Sequence, residues 1–236
     1  MTESVIKFDS ELIALSKKFS EIEDRVRVRD LYKFENKFYK LGYDLIAGVD
    51  EAGRGSLVGS LVVAAVILPK NIYLQKLNDS KKISARIREK LFEEIKNVAI
   101  SWAAVEVEVE KIDTLNIYRA TLEGMKLAVK NLEIQPDFVL TDAMKVEFEN
   151  NIPTQSIIHG DALSASIAAA SIIAKVTRDR LTDEWSKKFP EYEFNHNRGY
   201  GTKKHIAAIK KFGFCDLHRK SFNPVKSMIE NLEEGF

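Results

Sequence analysis

Four carboxylates of this 236-residue chain stand where strands should end or a helix should begin: Asp50 and Glu51 after one apolar run, Asp142 after another, and Asp161 at the head of a long apolar helix. In α/β folds the ends of adjacent strands converge on one edge, so carboxylates distant in sequence can meet there. An acidic cluster of that kind holds hard cations through oxygen ligands. Two metals about 4 Å apart can then activate water and stabilise a leaving oxygen in phosphodiester hydrolysis. Each acid taken alone also has a plainer reading: Asp161 as a helix cap, Asp142 as a turn residue, Asp50 and Glu51 as a solvated strand end. Spacing alone does not bring the four together. Directly after the acidic pair comes Gly53-Arg54-Gly55, whose glycines permit positive φ and close backbone approach while the arginine can fork onto a phosphate. A tight turn with a surface arginine explains the tripeptide about as well. It is not a nucleotide-binding P-loop, because Gly53–Ser60 lacks the Gly-Lys-Ser/Thr ending.

The elements that must position these groups can be read from periodicity. Leu45–Val49 and Leu61–Leu68 are apolar runs on either side of the glycine turn, which reads as strand, turn, strand. Pro69 closes the second. Leu77–Val98 has helical spacing, Ser101–Val109 alternates as a strand, and a long helix is expected over Ile112–Leu132. Short strands follow at Phe138–Leu140, ending at Asp142, and at Thr154–Ile158, ending near Gly160-Asp161. The helix from Ala162 to about Lys188 is small and apolar up to Val176, so it should be buried against the sheet. Three successive strand signals followed by helix-separated ones predict an α/β fold with a mixed sheet and helices on both sides. Residues 1–44 read as two amphipathic helices packed on that domain. Ile6, Leu12, Ile13, Leu15 and Phe19 mark the first, and Val28, Leu31, Phe34 and Phe38 the second, which Gly42 ends. The expected division is therefore a helical extension (1–44), a core (45–188) and a basic, aromatic helical segment packed on it (189–236).

Composition narrows the classes. With 45% hydrophobic and 30% charged residues and a net charge of +1, the chain can bury a sizeable core. Its single cysteine, Cys215, excludes an intramolecular disulfide framework and a thiolate-rich zinc site, which fits a reducing compartment. The spacings of His159, His196, His205 and His218 fit no compact ligand pair, so they are assigned no metal. No run reaches the roughly 20 apolar residues of a membrane span, and the N-terminus has no signal-peptide core. A cytoplasmic protein is expected. Charge is segregated: Lys175–Lys226 holds 13 Lys and Arg against 6 Asp and Glu, which leaves the rest of the chain acidic. Aromatics interleave this basic segment (Trp185, Phe189, Tyr192, Phe194, Tyr200, Phe212, Phe214, Phe222), a composition that suits a polyanion but equally a solvated basic face.

Taken whole, Ile46-Ala47-Gly48-Val49-Asp50-Glu51-Ala52-Gly53-Arg54-Gly55 resembles the opening motif of type 2 ribonuclease H, RNase HII. Further motifs of that family are matched in order. They are Asn78-Asp79-Ser80-Lys81-Lys82, Ile112-Asp113 through Met125, Thr141-Asp142-Ala143, and Gly160-Asp161 with the helix Ser166–Asp179. Asn197-Arg198-Gly199-Tyr200-Gly201-Thr202, His205 and His218-Arg219 with Ser221-Phe222 complete the series.

The resemblance implies an RNase H-like fold with a mixed five-stranded sheet, and a metal-dependent endonuclease. It makes Asp50, Glu51, Asp142 and Asp161 the catalytic, metal-binding carboxylates of a two-metal site for Mg2+ or Mn2+. Gly53, Arg54 and Gly55 would read the ribonucleotide beside the cut, and Tyr200 would contact the sugar of the junction. Lys81, Lys82, Lys175, Arg178 and Arg198 would contact backbone phosphates. The implied substrates are RNA–DNA hybrids and duplex DNA with embedded ribonucleotides, cut on the 5′ side to leave a 3′-hydroxyl and a 5′-phosphate. No membrane or obligate protein partner is implied, and nothing demands more than a monomer. This chain departs from the family pattern at Ser56 and Ser60, where proline is usual, so a looser turn is expected; Arg198 replaces a more usual lysine. Two alternatives stay open: a nucleic-acid-binding module of the same fold that has lost catalysis, and a junction-resolving nuclease of this fold that needs no ribonucleotide.

Overall fold

The computed structural model describes the backbone of residues 3–234 and the side chains of residues 15–231. Two helices, α1 (Glu3–Leu31) and α2 (Lys33–Tyr39), lead into strands β1 (Ile46–Ala52) and β2 (Leu61–Ile67). Helix α3 (Ala85–Val98) and β3 (Ser101–Val107) follow, then α4 (Val109–Leu115), α5 (Ile117–Lys130), β4 (Phe138–Asp142) and β5 (Thr154–Ile157). The chain ends with α6 (Gly160–Leu163), α7 (Ala165–Lys188), α8 (Phe194–Asn197), α9 (Lys203–Phe212) and α10 (Val225–Glu234).

The strands form one five-stranded sheet in the order β3-β2-β1-β4-β5. β1 pairs antiparallel with β2 and parallel with β4, and β4 pairs parallel with β5, so the sheet is mixed, as the order of strand signals predicts. Its central strands are apolar on both faces because both faces are covered: every residue of β2 is buried. One face packs α7 and α3 through Val62, Ala64, Val66, Leu91, Ile95, Ala169 and Ile172. The other packs α5 through Val63, Ala65, Met125 and Ala128.

The approach of α7 to β1 is limited by Gly48, where an added Cβ would lie 2.1 Å from the carbonyl carbon of Ser166. Only a residue without a side chain lets the helix backbone lie on the strand there.

The two N-terminal helices divide after Leu31, so Val28 and Leu31 belong to α1 and not to the second helix as expected. Within the core, four boundaries differ from the sequence reading, each for a local reason. Asp50 and Glu51 lie inside β1, since pairing with β2 continues to Ala52. The helix expected from Leu77 begins at Ala85. Before it, Asp79 accepts a hydrogen bond from the Lys81 amide (2.9 Å), and such side-chain turns compete with helix. The expected helix over Ile112–Leu132 is two helices that meet at Asn116, which has φ +67° and caps the Arg119 amide. The helix after Asp161 is broken at Ser164, whose extended backbone starts α7 and whose hydroxyl accepts from Ile167 N.

The N-terminal helices are joined to the domain by specific contacts. Val28, Leu31 and Tyr32 enter the core, Phe38 stacks on Phe138 with centroids 3.8 Å apart, and Glu35 is buried. Oε1 of Glu35 accepts from the Ser164 hydroxyl (2.6 Å) and from both the amide (2.9 Å) and hydroxyl (2.6 Å) of Ser166, at the junction between α6 and α7. Of the apolar residues expected to pack α1, Leu15 and Phe19 are exposed instead, and the side chains of Ile6, Leu12 and Ile13 lie outside the described residues.

A Gly48→Ala substitution should cost about 3 kcal/mol or more of stability, read as a lower denaturation midpoint at unchanged m-value, because neither backbone can give way cheaply.

Candidate active site

Parallel pairing of β1 with β4 runs to Val49 opposite Thr141, so the next residues, Asp50 and Asp142, stand side by side at one end of the sheet. β5 pairs with Asp142 through Ile157, then turns at His159 (φ +58°) into α6, which carries Asp161. An oxygen from each of Asp50, Asp142 and Asp161 lies within 4.8 Å of the other two. Asp50 and Asp161 are buried and Asp142 is partly so.

Burial pushes Asp50 well above the usual carboxylate range, and the charges of Glu51 and Asp142 push it further. Glu51 is raised by burial against the pull of Arg54. Asp142 is also raised by burial, although its Oδ1 accepts from the Gly160 amide at 2.7 Å. The Lys81 ammonium lies 3.4 Å from Asp161 Oδ2. Such a set of crowded, partly compensated carboxylates is a fit site for a divalent cation: its donors are all hard oxygens, and Oε2 of Glu51 is buried with no hydrogen-bond partner among the described residues. Glu51 itself stands outside the three-aspartate cluster, with Oε1 3.7 Å from Arg54 Nη1.

The glycine turn lies next to these acids. Gly53 has φ +94°, and a Cβ there would strike Arg178 Nε at 1.9 Å, so the turn backbone lies against a buried guanidinium. Gly55 is exposed, and the point where its Cβ would stand is 3.9 Å from the Tyr200 ring. Tyr200 is 42% exposed, so its ring is open beside the turn.

The remaining sequence candidates divide. Lys81 reaches the acidic cluster and Lys82 is exposed. Lys175 is held 2.6 Å from Asp179, and burial lowers its pKa. Arg198 is turned inward to Asp183, Thr182 and the Asp179 carbonyl. Arg178 must be corrected: it has no exposed surface with which to meet a phosphate, and its guanidinium donates to the carbonyls of Val58 (3.1 Å), Ser60 (3.3 Å) and Arg198 (3.0 Å). The looser turn expected from Ser56 and Ser60 is also absent. Ser56 is buried and donates to Val58 O, and Ser60 donates to Glu106 Oε2 at 3.2 Å. Most of the basic segment's aromatics build a small core around Tyr192 and Phe194 rather than a binding face; only Tyr200 and Phe212 among the eight are exposed.

Support for the turn comes from residues to which the sequence assigned no role of this kind. Arg219, fully buried, donates twice to Gly59 O (3.0 and 2.9 Å) and once to Arg54 O (3.1 Å). Its neighbour His218 reaches the tyrosine loop through a second histidine. Cys215 N–H donates to His218 Nδ1 (3.0 Å), which leaves the proton of a neutral His218 on Nε2, facing His205 Nε2 at 3.2 Å. His205 then donates from Nδ1 to the carbonyl of Tyr200 (2.9 Å). The chain of bonds requires both rings neutral, and burial lowers both pKa values. The pairing of His218 with Arg219 in sequence is the only signal that could have pointed to this strut.

Comparison with known proteins gives the same direction. A sequence profile of the family Ribonuclease HII matches residues 47–225, from the start of β1 into α10. The chain belongs to the ribonuclease HII family. It is 49% identical to the ribonuclease HII of Enterococcus faecalis over 85% of this chain and 78% of that one. Over 87% of this chain and 80% of the other it is 50% identical to the ribonuclease HII of Acetivibrio thermocellus. Its fold matches the crystal structure of ribonuclease H2 from Pyrococcus horikoshii with a TM-score of 0.70 at 25% identity, covering 80% of this chain and 99% of that one. It also matches the Archaeoglobus fulgidus RNase HII solved in complex with PCNA (TM-score 0.65, 28% identity, 76% and 95% covered). As a ribonuclease HII it is a metal-dependent endoribonuclease that acts on RNA–DNA hybrids, and its acidic cluster is able to hold the metal.

The histidine strut has a measurable pH signature. Burial and the neighbouring His205 bring His218 from the usual 6.5 down to about 4, so as pH falls the unfolded chain takes up the proton first. Stability from this group is whole above 6.5 and drains as pH falls through about 4. Urea unfolding at stepped pH should show that decline, with a shallower slope in His218→Gln.

Proposed function

We propose that this family member cuts the phosphodiester on the 5′ side of a ribonucleotide, in hybrids and at ribonucleotides embedded in duplex DNA, leaving a 3′-hydroxyl and a 5′-phosphate. The observation that carries the reading is the placement of a glycine turn, open at Gly55 and faced there by an exposed tyrosine ring, directly after the strand that bears one of three converging aspartates. The 2′-hydroxyl distinguishes RNA from DNA, so a selective site must bring polar backbone groups within hydrogen-bond reach of it. Gly55 leaves the turn backbone uncovered by a side chain, Gly53 lets the turn lie directly on Arg178, and Arg54 carries a guanidinium able to fork onto the adjacent phosphate. Tyr200 supplies a flat wall against the junction sugar.

Asp50, Asp142 and Asp161 would hold divalent metal, with Glu51 turned to the cluster once Arg54 engages phosphate. Two bound cations, Mg2+ or Mn2+, would supply water activation and charge stabilisation at the leaving 3′-oxygen. The residues themselves orient the ribose, set the carboxylates and draw the phosphates into an otherwise acidic site. Lys81 borders that site, and Lys82 beside it in sequence and the exposed lysines of α9 extend the basic surface. All these groups come from one chain, which supports catalysis without a residue from a second copy; a cytoplasmic setting belongs to the same proposal. The division into an extension (1–44), a core (45–188) and a C-terminal segment (189–236) belongs to the same proposal, with the active site drawing on the second and third.

The test is a labelled DNA duplex with one ribonucleotide, incubated with magnesium, manganese or chelator and mapped to the nucleotide. A metal-dependent nick immediately 5′ of the ribonucleotide is expected; cutting at the same rate in an all-DNA duplex would refute the reading. Asp142→Asn should lower the rate on the order of 10³-fold or more with the folded state intact by circular dichroism. Tyr200→Ala should lower kcat/KM by roughly tenfold or more, in line with the loss of one ring contact, and leave metal affinity unchanged.

A further inference from the structure

Helix α1 has two opposite faces. Near its C-terminus Asp24, Arg27, Val28 and Leu31 turn to the domain: Asp24 accepts from Tyr73 and the Lys76 amide, Arg27 donates to Leu77 O, and Val28 and Leu31 are buried. On the other side Leu15 (51% exposed), Phe19 (63%), Ile22 (50%) and Val26 (43%) form an uncovered stripe. At 100° per residue, Val26 lies about 200° from Val28 and Ile22 about 200° from Asp24, so the stripe faces away from the body. Residues 15–23 are exposed all round, which makes this part of α1 a helix standing free of the domain. A free helix of that length is marginal in water without an apolar face packed on something.

The spacing of the stripe identifies what covers it. Leu15, Phe19, Ile22 and Val26 follow at intervals of four, three and four, and the sequence continues the alternation upstream through Leu12, Phe8 and Val5 until Arg29 ends it downstream. From Leu15 to Val26 every apolar residue stands at an a or d position, the narrow seam of a coiled coil rather than the broader face of a globular helix; upstream Val5, Phe8 and Leu12 keep the register, with Ile6 and Ile13 beside it at b. We propose that α1 pairs with α1 of a second copy of this chain.

Flanking charges support that occupant. With Val5 at a, Lys18 falls at g and Glu23 at e, and among the described residues neither takes part in a salt bridge. In a parallel pair Lys18 faces Glu23 of the second copy; in an antiparallel pair centred between Leu12 and Leu15 it faces Glu11. Either direction places opposite charges across the seam, twice by symmetry. The catalytic residues lie elsewhere, so pairing adds an assembly surface without altering the site.

Sedimentation velocity of the full chain over a wide concentration range tests this. A species of twice the chain mass is expected at high concentration, and Phe19→Lys with Ile22→Lys should return it to a single chain with hydrolysis of a hybrid unchanged. Lys18→Glu should weaken the dimer; restoration by Glu23→Lys identifies a parallel pair, and restoration by Glu11→Lys an antiparallel one. Single-chain mass throughout, or a dimer that survives the Phe19/Ile22 pair, would overturn the proposal. So would protection of α1 from proteolysis only on anionic vesicles or on hybrid, which would assign the stripe to that surface.

Discussion

Three aspartates with oxygens within 4.8 Å of one another repel, and the rest of this structure is arranged to hold them there. Two of the three come from neighbouring parallel strands, whose backbone hydrogen bonds set the separation of Asp50 and Asp142 without regard to their charges. The third rides on a short helix whose first amide is bonded to Asp142. Compensation is partial: Lys81 approaches Asp161, Arg54 approaches Glu51, and burial keeps Asp50 and Asp142 protonated to higher pH than an exposed carboxylate. The unresolved repulsion is what makes the cluster receptive to a cation, and one buried oxygen of Glu51 is left without a partner among the described residues.

A second layer of support is polar and comes from the far end of the chain. Leu217–Arg219 lies between the turn after β1 and the loop carrying Tyr200, with Gly59 N donating to Leu217 O and Arg219 N to Leu57 O. Arg219 and Arg178 together cap the carbonyls of Arg54, Val58, Gly59 and Ser60. Buried guanidinium groups spent on carbonyls are costly to desolvate, as the fall of Arg219 to about 9 records, but they fix a turn that glycine alone would leave mobile. The two serines in place of prolines are tied by the same means, through hydrogen bonds rather than a ring.

The N-terminal helices couple to this machinery at one point. Glu35 ties α2 to Ser164 and Ser166, where α6 gives way to α7, three residues beyond Asp161. The extension is thus a brace on the helix that bears a site carboxylate, while the preceding part of α1 stands away from the domain.

The mixed sheet, its flanking helices, the burial of the Ala- and Ile-rich helix and the candidate acids were all legible in the sequence, because each depends on local periodicity or on a motif of adjacent residues. Breaks at Asn116 and Ser164 were not, since a positive φ or an extended residue inside a helical pattern leaves no change of period. Nor was the burial of Arg178, because a helix that is apolar for three turns and then basic gives no sign of which cation points inward. By itself the sequence determined the chemistry available: carboxylates at strand ends, a Gly-Arg-Gly turn, an aromatic between glycines. Tertiary structure alone decided which groups meet, because the register of β1 on β4 brings together Asp50 and Asp142, 92 positions apart in the chain, and the Leu217–Arg219 strut sets Tyr200 beside Gly55. Convergence of that kind comes from backbone hydrogen bonds between strands and from buried polar contacts, neither of which any single stretch of sequence contains.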